Sequence, residues 1–115
     1  MKLGEIAKRL AIDPRKLTEY ALDSENPLGR HKALIFAKQL GFSKVNAASL
    51  QQQIETLATN TEAVLQRTDQ YGRHYRVDIA VSGATGQQVL VRTGWTVAPG
   101  SDTVHFVTCY VLRKT

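Results

Sequence analysis

The stretch ATNTEAVLQRT, residues 58–68, decides the fold because the chain changes its periodicity there. Before it, apolar side chains recur every three or four residues, as in Leu50, Ile54 and Leu57, which indicates a helix with one buried face. After it, apolar and polar residues alternate, which indicates strands. The first half of the chain should therefore be helical and the second half a sheet.

The second half contains four alternating runs: EAVLQRT, RHYRVDIAVSG, QQVLVRTGWTV and DTVHFVTCYVLRK. They are separated by DQYG, GATG and APGSD, which are turn signals typical of short hairpin connections. Four strands joined in sequence by short turns form an antiparallel meander. We therefore expect a four-stranded antiparallel meander sheet.

Three helices are expected before the sheet. Asp13 is a cap residue with Pro14 at the first helical position, a second helix runs from about Arg30 to Leu40, and a third from about Ala47 to Ala58. The fold class is then α+β, with three N-terminal helices packed on one face of the sheet. The 115 residues suffice for one domain: an N-terminal extension (1–12), a helical half (13–60) and an antiparallel sheet half (61–115).

Composition favours a polyanionic partner. The formal net charge is +5 and the isoelectric point is near 9.6. The N-terminal MKLGEIAKRLAIDP lacks the apolar core of a signal peptide, and no run approaches the ~20 apolar residues that span a bilayer. We expect a cytoplasmic protein with no membrane partner.

Metal and cofactor chemistry is not indicated. His31, His74 and His105 are scattered, without the spacing of metal ligands, and SGATGQQ lacks the lysine of a phosphate-binding loop. Cys109 lies within an apolar strand and is expected to be buried and unreactive. We expect no metal and no cofactor.

Strand alternation collects polar side chains on one face of the sheet. These polar side chains are His74, Arg76, Arg92, Thr108 and Tyr110. In the last strand the same alternation places Phe106 on this face, and His105 and Val107 on the other. Basic, hydroxyl and aromatic groups together suit nucleic acid, although a solvated face without a partner has the same pattern.

A second cluster of cations stands where a helix begins, in NPLGRHKALIFAKQLGF, residues 26–42. Arg30, His31 and Lys32 fall next to the positive end of the helix dipole, where cations are disfavoured unless an anion is nearby. The cluster is therefore either an anion site or a set of solvated first-turn residues. Metal-free cleavage of RNA needs such groups, with histidine for proton transfer and cations for the phosphate.

Several segments resemble a widespread family of small bacterial and phage domains without an assigned function, found alone and as C-terminal modules of polymorphic toxins. They are KLTEYAL, NPLGRHKALIFAKQLGF, YGRHYRVD and VRTGWTV…FVTCYV, within residues 14–111. The most specific pieces are G-x-x-K-A (Gly29–Ala33) and R-T-x-W (Arg92–Trp95). The order of elements is similar to the barnase, EndoU, colicin and RelE superfamily of metal-independent ribonucleases.

The resemblance implies a ribonuclease toxin acting on transfer or messenger RNA and neutralised by a cognate, acidic antitoxin or immunity protein. Its implied catalytic residues are His31 as acid or base, Lys32 and Arg92 on the scissile phosphate, and Thr108 orienting it. The implied RNA-binding residues are Arg30, Tyr71, Arg73, His74, Arg76 and Tyr110. The alternatives are a non-catalytic protein- or nucleic-acid-binding module of phage or toxin-system origin, and a structural phage-associated protein.

Overall fold

A five-stranded mixed sheet forms the centre of the fold in the computed structural model, which describes residues 1–112. The strands are β1 (Arg9–Ala11), β2 (Val64–Asp69), β3 (Gly72–Ser82), β4 (Gln88–Val97) and β5 (Thr103–Val111). Their order across the sheet is β1-β5-β4-β3-β2. β2 to β5 are antiparallel neighbours, whereas β1 runs parallel to β5.

The expectation of three helices on a four-stranded antiparallel meander is therefore wrong. The missing strand, β1, comes from the twelve N-terminal residues that were expected to form an extension. Three residues are too few to display an alternating pattern, and β1 owes its place to pairing with β5. The backbone N–H groups of Lys8 and Arg9 both donate to the Asp102 carbonyl, which starts this pairing.

The helices also differ from the three expected. They are α1 (Leu3–Ile6), a π-helix (Leu17–Ala21), α2 (Arg30–Leu40), a 3₁₀-helix (Lys44–Asn46) and α3 (Ala47–Thr59). The expected first helix is a single wide turn, in which the Leu22 N–H donates to the Leu17 carbonyl over 2.8 Å. The predicted α2 and α3 are confirmed, and Gly41 ends α2 in the left-handed conformation at φ 70°.

The hydrophobic core lies between one face of the sheet and the helices. Phe36 of α2 and Ile54 of α3 are fully buried, as are Val77 of β3 and Val91 of β4. The alternation predicted for β3 and β4 is confirmed, since their polar members remain partly exposed on the other face. None of the helices within residues 1–112 is long and apolar enough to cross a membrane.

The faces of β5 differ from the expected pattern because the strand contains a bulge. Thr108 pairs with Gly94, but the next pair is Phe106 with Trp95, so Val107 is an extra residue. The side chains before the bulge change faces: Phe106 is buried edge-on against Trp95, while His105 and Val107 are exposed. β5 ends at Val111, and residues 113–115, which include the end of the expected strand, lie outside the described residues.

Candidate functional site

The polar face of the sheet has a hollow of about 190 Å³, which we call the bowl. Gly94 forms part of its floor, paired with Arg76 on β3 and Thr108 on β5. Arg92 and Thr96 stand on either side of Gly94 along β4. His74 and Tyr110 also line the bowl. Because glycine has no side chain, the groups around it can face a common space.

The ammonium group of Lys32 stands at the rim of the bowl. It donates a hydrogen bond to Thr108 Oγ1 over 3.4 Å. It also lies 5.1 Å from the ring centre of Tyr20 and 5.4 Å from that of Tyr110, within the range of cation–π attraction. Among residues 1–112 no carboxylate forms an ion pair with Lys32. Its position is therefore fixed while its charge is not neutralised.

The Tyr20 ring reaches Lys32 because the start of α2 packs closely on the π-helix. A Cβ atom on Gly29 would lie 2.3 Å from the Tyr20 carbonyl oxygen, so no other residue fits without movement of the backbone. Asn26 fixes the connecting loop, since its amide donates to the Glu19 carbonyl and its oxygen accepts from the Leu28 and Gly29 N–H groups. The G-x-x-K-A motif thus combines a close contact at Gly29 with a restrained lysine.

Arg92 faces the bowl with its charge largely offset. Its Nε and Nη2 atoms donate to the two carboxylate oxygens of Asp78 over 2.9 and 3.0 Å. This pair raises the pKa of Arg92 above its ordinary value, with Tyr110 contributing in the same direction. Arg76, by contrast, has no ion-pair partner in the described part of the chain. Arg76 and Lys32 are therefore the two unpaired cations of the site.

His74 is held through both ring nitrogens. Nε2 lies 2.8 Å from Asp69 Oδ1, and Nδ1 lies 3.1 Å from Thr96 Oγ1. The hydrogen bond from His74 lowers the pKa of Asp69, which keeps this carboxylate ionised and able only to accept. The arrangement joins β2, β3 and β4 in one hydrogen-bonded row.

The structure brings most of the predicted site residues together, but not all. The bowl is lined by His74, Arg76, Arg92, Thr108 and Tyr110, and Lys32 reaches its edge through the hydrogen bond to Thr108. His31 is exposed and lines a neighbouring hollow with Lys32 and Tyr110.

The remaining three predicted residues lie elsewhere. Arg30 is exposed at the first position of α2, and Tyr71 is 67% exposed in the turn between β2 and β3. Arg73 alternates with His74 and so belongs to the opposite face, where its Nη1 donates to the Tyr75 hydroxyl over 3.0 Å.

Several site residues were missed in the sequence. They are Tyr20, Asp69, Asp78, Gly94 and Thr96. Asp78, Gly94 and Thr96 share the alternation of the polar face, so a signal for them was present. Tyr20 gave no such signal, because its spacing from Leu17 and Ala21 is that of a core residue. Both of those neighbours are buried, whereas Tyr20 is half-buried against Lys32.

A second groove, of about 590 Å³, opens on the other side of the Lys32–Thr108 contact. Tyr20 and Asn26 form one wall, and Val107 lies opposite beside Thr108. Thr108 therefore lines both the bowl and the second groove, and a chain-like ligand that crossed the Lys32–Thr108 contact would enter both.

Cys109 lies in the core and has no role in this surface. It is fully buried, and burial raises the pKa of its thiol to about 12. Residues 1–112 contain no group of three or more His, Cys, Asp or Glu side chains that could hold a metal ion.

Comparison with protein families gives one match, which covers residues 2–113. The chain belongs to the DUF6883 family. This family is described as a domain of unknown function. Neither the curated proteins nor the solved structures contain a significant match to the chain. Any activity of the chain must therefore be inferred from the residues of the site.

Proposed function

We propose that this member of the DUF6883 family is a metal-independent ribonuclease that binds the scissile phosphate of RNA in the bowl beside Lys32. The observation that supports this most is the restrained, unneutralised ammonium group of Lys32 next to a hollow lined by hydroxyl and guanidinium groups. A fixed cation with no carboxylate partner favours an anion without first having to release another one.

In the proposed reaction the ribose 2′-oxygen attacks the adjacent phosphorus, and the bond from phosphorus to the 5′-oxygen breaks. One proton leaves the 2′-hydroxyl for a base, and another is delivered to the 5′-oxygen. Lys32 and Arg76 stabilise the charge that grows on the phosphoryl oxygens, while Thr108 donates a hydrogen bond to orient them. Arg92 also donates to these oxygens, through the guanidinium N–H groups that Asp78 does not engage. His31, exposed beside Lys32 and Tyr110, serves one of the two proton transfers.

The biological setting is part of the same proposal. A ribonuclease active in the cytoplasm must be neutralised in the cell that makes it. An acidic antitoxin or immunity protein could cover the polar face, because opposite charges speed association and favour this partner over others. Transfer RNA and messenger RNA are the expected substrates.

The first test is cleavage of total RNA by the purified protein in EDTA. We expect fragments from the wild type, and loss of roughly 100-fold in rate for His31→Ala and for Arg92→Ala. Production of the wild type should arrest growth, and the two variants should not. Folding of each variant is checked by circular dichroism. Equal cleavage by the variants would remove His31 and Arg92 from the proposed site.

A binding module is the second candidate, and the ion pairs of the bowl favour it. Arg92 is already neutralised by Asp78, and His74 is engaged on both nitrogens. Such a module would bind RNA with an affinity that falls steeply with salt, and would leave the RNA intact. The same incubation distinguishes the two candidates, since only the ribonuclease produces fragments.

A further inference from the structure

We propose that Asp69, His74 and Thr96 form a proton relay, in which the Thr96 hydroxyl exchanges a proton with the RNA at the wall of the bowl. The inference rests on the proposed ribonuclease function and adds a second proton-transfer group to it. In this relay Thr96 is a catalytic residue, His74 acts through it, and Asp69 is a positioning residue.

The order of hydrogen bonds follows from what each partner can donate. The Asp69 carboxylate only accepts, so the hydrogen between it and His74 belongs to Nε2. The neutral ring then has a lone pair on Nδ1, which faces Thr96 Oγ1 at 3.1 Å. A hydroxyl is the partner that can donate to this lone pair. Thr96 is therefore hydrogen-bonded to a base that is itself held by a carboxylate, the arrangement that activates hydroxyl groups in enzymes.

The position of Thr96 places this hydroxyl within reach of a bound phosphate. Thr96 and Thr108 both line the bowl, and Thr96 is two residues along β4 from Gly94, about 7 Å at the usual rise of a strand. Lys32 and Thr108 stand across the sheet from the β3 side, where His74 lies. A phosphate above Gly94 would then have Lys32 on one side, and Arg76 and the relay on the other.

The proton balance of the relay includes His31, the other proton-transfer group of the proposed reaction, and water. The 2′-hydroxyl gives its proton to Thr96 Oγ1 as Thr96 gives its own to His74 Nδ1. The ring becomes cationic, and the ionised Asp69 stabilises that charge. His31 delivers the second proton to the 5′-oxygen as its bond to phosphorus breaks. Water then carries the extra proton from His74 back to His31, which restores both groups.

The alternative is that the row of hydrogen bonds only holds the β2–β3 hairpin against β4. The two cases differ in what the Thr96 hydroxyl must supply. A structural role depends on shape and hydrogen bonding across the sheet, whereas a relay depends on a hydroxyl that can pass a proton. Thr96→Val keeps the shape and removes the hydroxyl, and Thr96→Ser keeps the hydroxyl.

The test is single-turnover cleavage of a labelled RNA oligonucleotide in EDTA by the wild type and both Thr96 variants. We expect Thr96→Val to be slower by roughly 100-fold and Thr96→Ser to stay within about fivefold of the wild type. A rate for Thr96→Val equal to that of the wild type, or equal losses in both variants, would overturn the relay and leave the ribonuclease in place. If the wild type leaves RNA intact, the proposed function fails and the relay with it.

A spectroscopic measurement tests the resting hydrogen bonds without any activity. The imidazole ¹⁵N spectrum of the wild type should show neutral His74 protonated on Nε2. Asp69→Asn should lose this preference, because an amide can donate as well as accept. Neutral His74 protonated on Nδ1 in the wild type would overturn the relay.

Discussion

At the scale of single residues, the side chains of the R-T-x-W motif lie on both faces of β4. Arg92 points to the polar face and pairs with Asp78. Thr93 points into the core, where its hydroxyl donates to the Val77 carbonyl and accepts from Trp95 Nε1, each over 2.7 Å. Thr93 is the only buried polar residue among those the structure describes, and both of its hydrogen bonds are made in the core. The motif thus contributes Arg92 to the site, and Thr93 and Trp95 to the core beneath it.

Removing the Thr93 hydroxyl should therefore destabilise the fold. We expect Thr93→Val to lower the free energy of unfolding by about 1–3 kcal/mol, because the indole N–H of Trp95 is left buried without an acceptor. Urea unfolding followed by circular dichroism measures the loss. The control is Thr68→Val, the same change at an exposed strand position, which should stay within about 0.5 kcal/mol of the wild type. Equal stability of the two variants would mean that the buried hydrogen bonds contribute nothing.

At the scale of elements, the site depends on the contact between α2 and the π-helix. The wide turn of Leu17–Ala21 directs Tyr20 towards Lys32, and the absence of a side chain on Gly29 lets α2 approach. The bulge in β5 has a comparable effect at the sheet, since it leaves Thr108 opposite Gly94 while Phe106 turns into the core. Two irregular elements therefore set the geometry around Lys32.

A methyl group at Gly29 tests the contact between these elements. Gly29→Ala should lower the free energy of unfolding by about 1–3 kcal/mol, because its Cβ would overlap the Tyr20 carbonyl and force the backbone apart. Gly94→Ala is the matched control: its Cβ would lie 3.4 Å from the nearest Thr108 atom, an ordinary contact, and should change stability by less than about 0.5 kcal/mol. Chemical denaturation of both variants provides the comparison. If Gly29→Ala is as stable as Gly94→Ala, the backbone of Gly29 does not pack closely on the Tyr20 carbonyl.

The regularity of each element explains whether it could be predicted from the sequence. The bounds of α2 and the two faces of β3 and β4 followed from periodicity, because each element is regular and half-buried. The bulge at Val107 could not be predicted, since alternation assumes a constant register. The parallel strand β1 could not either, because its place depends on pairing with residues more than ninety positions away in sequence. The contact between Tyr20 and Lys32 was missed because Tyr20 belongs to a π-helix rather than to the expected α-helix.

At the scale of the whole molecule, the cations at the start of α2 and the polar face of the sheet, which are far apart in sequence, meet at one point. Lys32, near the start of α2, contacts Thr108 of β5, which lies 76 residues away in sequence. The polar face, the bowl and the second groove adjoin this contact. We propose that this point binds a phosphate of RNA so that the neighbouring 2′-hydroxyl can attack it.

The most direct test compares one RNA oligonucleotide with its fully 2′-O-methylated counterpart, each incubated in EDTA with the wild type or with Lys32→Met. We expect the wild type to cleave only the unmodified RNA and to leave a 2′,3′-cyclic phosphate, and Lys32→Met to be slower by roughly 100-fold. Intact RNA with the wild type, cleavage of the methylated strand, or equal rates for the wild type and Lys32→Met would contradict it.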